Sequence, residues 1–546
     1  MTDRLQIYCE NTDSYVTVAG GETIGEIANR LDLGFEPICA LVNNKNEGLH
    51  FPVYAPKTVR FLSRETPHGT RVYVRSLCMM LFCAVRRVRP DAELKIEHTI
   101  SRGLFCRLAG EGVTPELLDK LKKELSLIQQ ANLPFEAYEK RTVDVIDYFE
   151  REGLRDKVLL LETVRELYTK YYTLDGVADS YYGCLAPSTG MIDRFDLIQY
   201  QDGFILMALE SETISQEKMF TAFTDYVRFN HVVGVSNVGE MNRTVEKGEA
   251  RMLINVAEAL QNNRIGRIAD EITRRYDEGG ARIVLVAGPS SSGKTTFTKR
   301  LAIQLMTNLL EPQMISLDDY FVNREMTPKD ENGDYDYENL YALDLESFEA
   351  DLQALLDGKM VELPYYNFEL GRREYRGNRI QLRGRSILLI EGIHGLNPEL
   401  AAKIEASMKF KVYVSALTTL TIDNHNWVPT TDNRLLRRII RDNAYRGVDA
   451  VETIRRWPSV RRGEEKWIFP FQENADAMFN SSLLFELGVL KERGDALLKR
   501  VPQDCSEYTE AYRLRKFLSY FLPIDEQFIP STSLIREFIG GSSFYY

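Results

Sequence analysis

The stretch Gly288-Pro289-Ser290-Ser291-Ser292-Gly293-Lys294-Thr295 restricts what this chain can fold into more than any other part of it. Before it runs Arg282-Ile283-Val284-Leu285-Val286-Ala287, an apolar stretch that reads as a buried strand. After it Phe297, Leu301, Leu305 and Leu309 recur every four residues, the spacing of a helix. Strand, glycine-rich loop and helix in this order make a phosphate cradle. The glycines let backbone N–H groups approach phosphate oxygens, and the helix aims its positive end at them. On this reading Gly288 to Thr296 hold a nucleoside triphosphate, Pro289, Ser290, Ser291, Ser292 and Gly293 forming the loop. Lys294 bridges the β- and γ-phosphates, and the Thr295 hydroxyl reaches Mg²⁺.

Two more strand-like runs end in acids. Ser386-Ile387-Leu388-Leu389-Ile390 leads into Glu391-Gly392-Ile393, where a carboxylate at a strand's carboxyl end faces the phosphates of a parallel sheet and becomes a candidate water-mediated metal ligand. Met314-Ile315-Ser316-Leu317 delivers Asp318-Asp319-Tyr320-Phe321. We assign Asp318 as the base that deprotonates or orients an acceptor hydroxyl, with Asp319 as the alternative, because adjacent strand residues point in opposite directions.

At 546 residues the chain has room for several globular units besides this one. Its net charge of −12 disfavours generic polyanion binding, which relies on clustered Lys and Arg, so RNA is a disfavoured partner. No run of about 18 apolar residues suggests a membrane span, and a cytoplasmic location is expected. Seven scattered cysteines without a C-x-x-C pair read as reduced core thiols.

The front of the chain pairs short apolar strands with a helical stretch from Thr23 to Leu31, then Ile38-Cys39-Ala40-Leu41-Val42-Asn43. This resembles the TGS domain of threonyl-tRNA synthetases, a β-grasp unit. The next unit resembles the second domain of those synthetases, on Ala84-Val85-Arg86-Arg87-Val88-Arg89-Pro90-Asp91-Ala92 and on Cys184 followed by Pro187-Ser188-Thr189-Gly190. That domain's H-x-x-x-H pair falls on Met79 and Cys83, and no histidine follows Cys184. The resemblance therefore implies a structural or ligand-sensing remnant rather than a hydrolase or zinc site. The expected divisions are a TGS-like domain over 1–63, a synthetase-like α+β domain over 64–225, a helical linker over 226–278 and a P-loop domain over 279–546.

The ordered motifs G-P-S-S-S-G-K-T-T, D-D-Y-F, L-P-Y-Y-N-F, I-E-G-I and R-L-L-R-R-I-I-R-D, from Arg282 to near Leu490, resemble the uridine kinase and phosphoribulokinase family. The resemblance implies an α/β P-loop kinase fold, a parallel sheet flanked by helices, preceded here by the β-grasp and editing-like units. It places Asp318 on the catalytic base, Glu391 on the acid of the E-G motif and Glu338 on a ribose-binding carboxylate. Tyr366 and Phe368 fall on the aromatic residues of the substrate pocket. Arg438 falls on a substrate-side arginine, Arg441 on the lid arginine that neutralises the transferring phosphoryl group, and Arg446 on the family's R-G. Two departures, Leu370-Gly371 where a histidine is expected and Val448 where an arginine is expected, leave the base identity open. The implied activity is ATP- and Mg²⁺-dependent phosphorylation of a nucleoside 5′-hydroxyl. Phosphorylation of another polyol or sugar phosphate, or nucleotide sensing by an RNA-associated regulator, remain as alternatives. A small molecule is the expected substrate, and a homo-oligomer is in keeping with the family.

Overall fold

A computed structural model of the chain describes residues 4–110, 112–208, 216–331 and 333–545. At the front, the hairpin Arg4–Cys9 and Ser14–Ala19 pairs through its first strand with Thr58–Leu62 in parallel. Cys39–Val42 and Lys45–Glu47 complete this five-stranded sheet. The short helix Ile24–Ala28 starts in a capping box, in which Thr23 accepts from the Glu26 N–H and Glu26 accepts from the Thr23 N–H. Ile7, Ile24, Ile27, Val59 and Phe61 close its core, the β-grasp arrangement the sequence suggests.

The following region is built around the helix Pro67–Val88, buried from Leu77 to Val85 without interruption. A helix apolar all round needs partners on every side. These come from a four-stranded antiparallel sheet (Glu93–Ile100, Gly103–Ala109, Phe195–Tyr200, Gly203–Ala208) and a three-stranded one (Glu136–Arg141, Tyr168–Leu174, Val177–Asp179).

A 28-residue helix, Ala250–Asp277, spans the stretch whose apolar residues recur at helical spacing. It packs against the helix Lys294–Thr307 that follows the P-loop. The second sheet system has five strands in the order Glu311–Ser316, Ser386–Glu391, Ile283–Ala287, Lys409–Ser415 and Ala477–Asn480, every neighbouring pair parallel. Ile283–Ala287 lies at the centre and is buried along its whole length, which is why it reads as an unbroken apolar run. Because all strands point the same way, the P-loop, Asp318 and Glu391 emerge at one edge.

The front of the molecule is fastened to this sheet by buried polar groups. Lys157 lies 2.7 Å from Asp179 and 2.9 Å from Asp423, and His425 Nδ1 lies 2.7 Å from Asp179. The Asn424 carbonyl accepts from the Ile96 N–H at 2.7 Å. The loop after Lys409–Ser415 is thereby inserted into the preceding region. No helix among the described residues is long and apolar enough to cross a membrane.

Candidate active site

The P-loop turns sharply where only glycine fits. A Cβ on Gly288 would stand 2.0 Å from the Val414 carbonyl oxygen, and Gly293 has a left-handed φ of 82°. The Lys294 ammonium donates to the Pro289 carbonyl at 3.2 Å. The hydroxyls of Ser291 and Ser292 are buried and have no hydrogen-bond partner, an arrangement that suits an oxyanion as the missing acceptor.

The Thr295 hydroxyl donates to Glu391 Oε1 at 3.0 Å. Burial pushes the Glu391 carboxyl up to about 7, with Lys294 opposing and Asp318 and Glu537 adding to the rise. Two hard oxygen donors beside phosphate donors fit Mg²⁺, which takes one or two protein ligands and fills its shell with phosphate oxygens and water. No group of three or more His, Cys, Asp or Glu able to hold a metal occurs among the described residues.

Asp318 sits in the 3₁₀ turn Leu317–Tyr320 that caps the edge strand. Burial pushes its carboxyl up, while Lys294, Arg446 and Arg441 pull it down. Solvent reaches this side chain through the open cleft, which tempers the effect of burial and leaves the three cations as its defining neighbours. Asp319 is used otherwise: its carboxylate accepts from the Tyr366 N–H at 3.1 Å and ties the hairpin Val361–Asn367 and Arg372–Ile380 to the sheet edge.

The helix Thr430–Arg446 brings a row of arginines across the loop. Arg434 and Arg437 are fully buried. Arg434 pairs with Glu464 at 2.5 Å and donates to the Ser290 carbonyl, and Arg437 pairs with Glu486 at 2.5 Å and donates to the Ser291 carbonyl. Arg438 donates to the Ser290 hydroxyl at 2.9 Å. Arg441 and Arg446 face the Asp318 side, and Asp442 gathers Arg438 (3.2 Å), Arg441 (3.1 Å) and Arg446 (3.4 Å). Glu338 lies near Arg438 and against Gly463, where a Cβ would stand 2.3 Å from it. Burial raises its carboxyl and Arg438 opposes the rise.

The structure thus brings Lys294, Thr295, Glu391, Asp318, Arg441 and Arg446 to one cleft, with Glu338 and Arg438 beside it. Tyr366 and Phe368 join Phe321 in an aromatic cluster at the hairpin, Tyr366 buried with an unpartnered hydroxyl and Phe368 exposed.

Three acids went unread in the sequence. Asp442 was within reach, since it follows Arg441 and stands four residues from both Arg438 and Arg446. Glu464, on the helix Ala450–Trp467, accepts from the Ser290 N–H at 3.0 Å. Burial opposes its charge, yet Arg434, Arg461 and that N–H hold it below the usual glutamate range. Glu537 accepts from the Thr296 N–H at 3.2 Å and the Thr296 hydroxyl at 2.6 Å, while Leu534 lies where a Cβ on Gly293 would come within 2.4 Å of it. The Ser290 N–H and the N–H and hydroxyl of Thr296 are here engaged by the chain's own carboxylates, while the Ser291 and Ser292 hydroxyls stay without a partner. Nothing in the local sequence around residues 533–540 signals this.

In the front region, Met79 and Cys83 do not form a site. Both are fully buried in the core, the Cys83 thiol donating to the Leu174 carbonyl at 3.8 Å. The face of their helix that lines a cavity carries His68, Arg71 and Arg75 instead.

Comparison with known proteins agrees with this division. Residues 283–483 match the model of the Phosphoribulokinase / Uridine kinase family. A uridine kinase of Brevibacillus brevis is 29% identical over 201 residues, which are 37% of this chain and 85% of that protein. A uridine kinase of Schizosaccharomyces pombe is 30% identical over 35% of this chain and 37% of its own length. A threonine–tRNA ligase of Clostridium novyi is 26% identical over 211 residues of the N-terminal region, so that this chain spans 33% of the ligase. A solved structure described as a possible uridine kinase, from Bacillus stearothermophilus, covers 37% of this chain at 21% identity and a TM-score of 0.25. Residues 283–483 therefore carry a P-loop kinase domain of the phosphoribulokinase and uridine kinase family, on a chain whose front part is similar to threonine–tRNA ligases.

Proposed function

We propose that the chain is an ATP-dependent kinase that transfers the γ-phosphoryl group to a hydroxyl of a small molecule, with the 5′-hydroxyl of a nucleoside as acceptor. The observation that carries this reading is the placement of Asp318 beside Lys294, Arg441 and Arg446, a carboxylate amid cations next to a phosphate cradle. A protein that merely binds nucleotide has no use for a base at that place.

In this mechanism the loop from Gly288 to Thr296 and the Lys294 ammonium hold the triphosphate. Asp318 accepts the proton of the attacking hydroxyl. Arg441 and Arg446 neutralise charge on the phosphoryl group in flight, so that catalysis is chiefly positioning and charge stabilisation. Thr295 directly and Glu391 through water would hold Mg²⁺, which supplies charge neutralisation on the β- and γ-phosphate oxygens. Glu338, Arg438, Tyr366 and Phe368 form the acceptor side. Glu537 and Leu534 must leave the P-loop for the nucleotide to take its donors.

The test is ATP turnover by the purified full chain against nucleosides, sugars and sugar phosphates, with product identification by mass spectrometry and Lys294→Ala as blank. A nucleoside 5′-monophosphate formed by the wild type and absent from the blank supports the proposal. A phosphorylated sugar or polyol instead would shift the acceptor class. ATP binding without any product would remove the kinase reading.

A further inference from the structure

A cavity of about 360 Å³ opens where four parts of the chain meet. Its walls are the turn Asn46–Pro52, the helix Pro67–Val88 with the segment Tyr181–Cys184, the paired strands Glu136–Arg141 and Tyr168–Leu174, and the helix Tyr508–Ser519. Such a volume matches small-molecule sites.

The charges in its walls are of two kinds. Arg71 is bound by Glu510 through two contacts of 2.8 and 3.1 Å, and Arg513 is bound by both Asp432 and Glu510. Those cations are already neutralised. Arg75 and Lys516 are not: neither has a carboxylate within ion-pair distance among the described residues. Arg75 is only 7% exposed, its Nε donates to the Arg71 carbonyl at 3.1 Å, and its terminal nitrogens face the cavity without a protein acceptor.

The fold makes room for this guanidinium. A Cβ on Gly183 would stand 1.2 Å from Arg75 Nη1, so any other residue there displaces it. The Tyr182 ring lies 5.7 Å from the same group. Burial lowers the Lys516 ammonium from the usual lysine range, and Lys170 and Arg75 lower it further. Glu47 and Glu139 also line the cavity, Glu47 with its carboxyl raised by burial, and neither lies within ion-pair distance of Arg75 or Lys516. A buried cation such as Arg75 without counter-charge is costly, and a bound anion removes that cost.

The cavity is not equipped for covalent chemistry. Burial raises the Cys184 thiol, and burial together with Arg71 pushes His68 down to about 4, so neither an activated thiolate nor a charged imidazole is at hand.

We propose that this cavity binds a small phosphate monoester, its phosphate between Arg75 and Lys516 and its organic part against Tyr172 and Tyr182. An arginine fork and an ammonium suit a dianionic phosphate, and the tyrosine rings suit a compact ring or sugar. The site is remote in sequence from the P-loop and does not depend on the kinase reading.

The probe is phenyl phosphate, titrated calorimetrically into the full chain carrying Lys294→Ala, which removes the P-loop's own phosphate-binding lysine. Phenol and benzoate serve as the neutral and carboxylate controls. Saturable binding of phenyl phosphate in both the wild type and Lys294→Ala is expected, with phenol and benzoate much weaker. Arg75→Gln and Lys516→Gln, each added to Lys294→Ala, should each weaken binding about tenfold or more. Lys516 is partly exposed, so its variant remains informative if Arg75→Gln fails to fold. The proposal is overturned if the wild type shows no saturable binding, if both glutamine variants bind as tightly as their parent, if Lys294→Ala abolishes binding, or if benzoate binds as well as phenyl phosphate.

Discussion

Around the P-loop, anion-binding groups meet carboxylates from far along the chain: Glu464 reaches the Ser290 N–H, and Glu537 reaches both donors of Thr296. In the front cavity Arg75 and Lys516 have no carboxylate within ion-pair distance among the described residues. Both places gather positive groups, yet the P-loop donors meet the chain's own carboxylates, while in the cavity Arg71 and Arg513 are paired and Arg75 and Lys516 are left outside ion-pair distance of any described carboxylate. If the P-loop takes a triphosphate as proposed, the ligand exchanges with those internal partners, and ATP affinity would reflect that exchange. On the phosphate-monoester proposal, Arg75 and Lys516 would give up no ion pair when a ligand arrives.

The sharpest break of this comparison is at Arg441. If it serves the transferring phosphoryl group, Arg441→Ala should lower kcat by about 10³-fold or more while leaving ATP binding nearly intact, read from initial rates and a nucleotide titration. Arg437 is a cation of the same helix in a structural role. Arg437→Leu leaves Glu486 buried and unpaired and should cost about 3–5 kcal/mol of stability, read from denaturant unfolding. Comparable turnover losses from both variants, at equal folded fraction, would erase the distinction between them.

A smaller effect belongs to Glu537. Glu537→Ala removes this carboxylate from the Thr296 N–H and hydroxyl and should lower the KM for ATP about tenfold with little change in kcat. An unchanged or raised KM would mean that this carboxylate does not compete with the nucleotide.

The smallest is a pH effect in the cavity wall. His68 is held at about 4 by burial, with Arg71, Arg513 and Arg75 adding to the depression and Glu510 opposing it. The unfolded chain therefore binds more protons between about 6.5 and 4, and stability falls as pH drops through that window. His68→Gln should lose less melting temperature than the wild type over the same range. Equal slopes would place the imidazole in a more open setting.

Legibility in the sequence followed distance along the chain. The strand, loop and helix of the P-loop are contiguous, so their pattern and their structure coincide. The acids Asp318 and Glu391 were readable because parallel strands bring their carboxyl ends to one edge. The choice between Asp318 and Asp319 rested on strand alternation and on the family resemblance, and the Tyr366 N–H that occupies Asp319 lies 47 residues away. Glu537 meets Thr296 across 241 residues, and no local signal encodes such a meeting. In the front region the sequence showed that Met79 and Cys83 lack a metal-ligand set, but nothing in it marked the residues that line the cavity. Met79 and Cys83 fell on the core side because helix rotation is set by what packs around it, while the cavity took Arg71 and Arg75.

The most direct measurement is phosphoryl transfer by Asp318→Asn set beside its nucleotide binding. The account predicts ATP binding within about threefold of the wild type and transfer to the best acceptor reduced about 100-fold or more. Transfer at the wild-type rate in this variant would contradict it, since the carboxylate beside Lys294 and the two arginines would then have no part in the reaction.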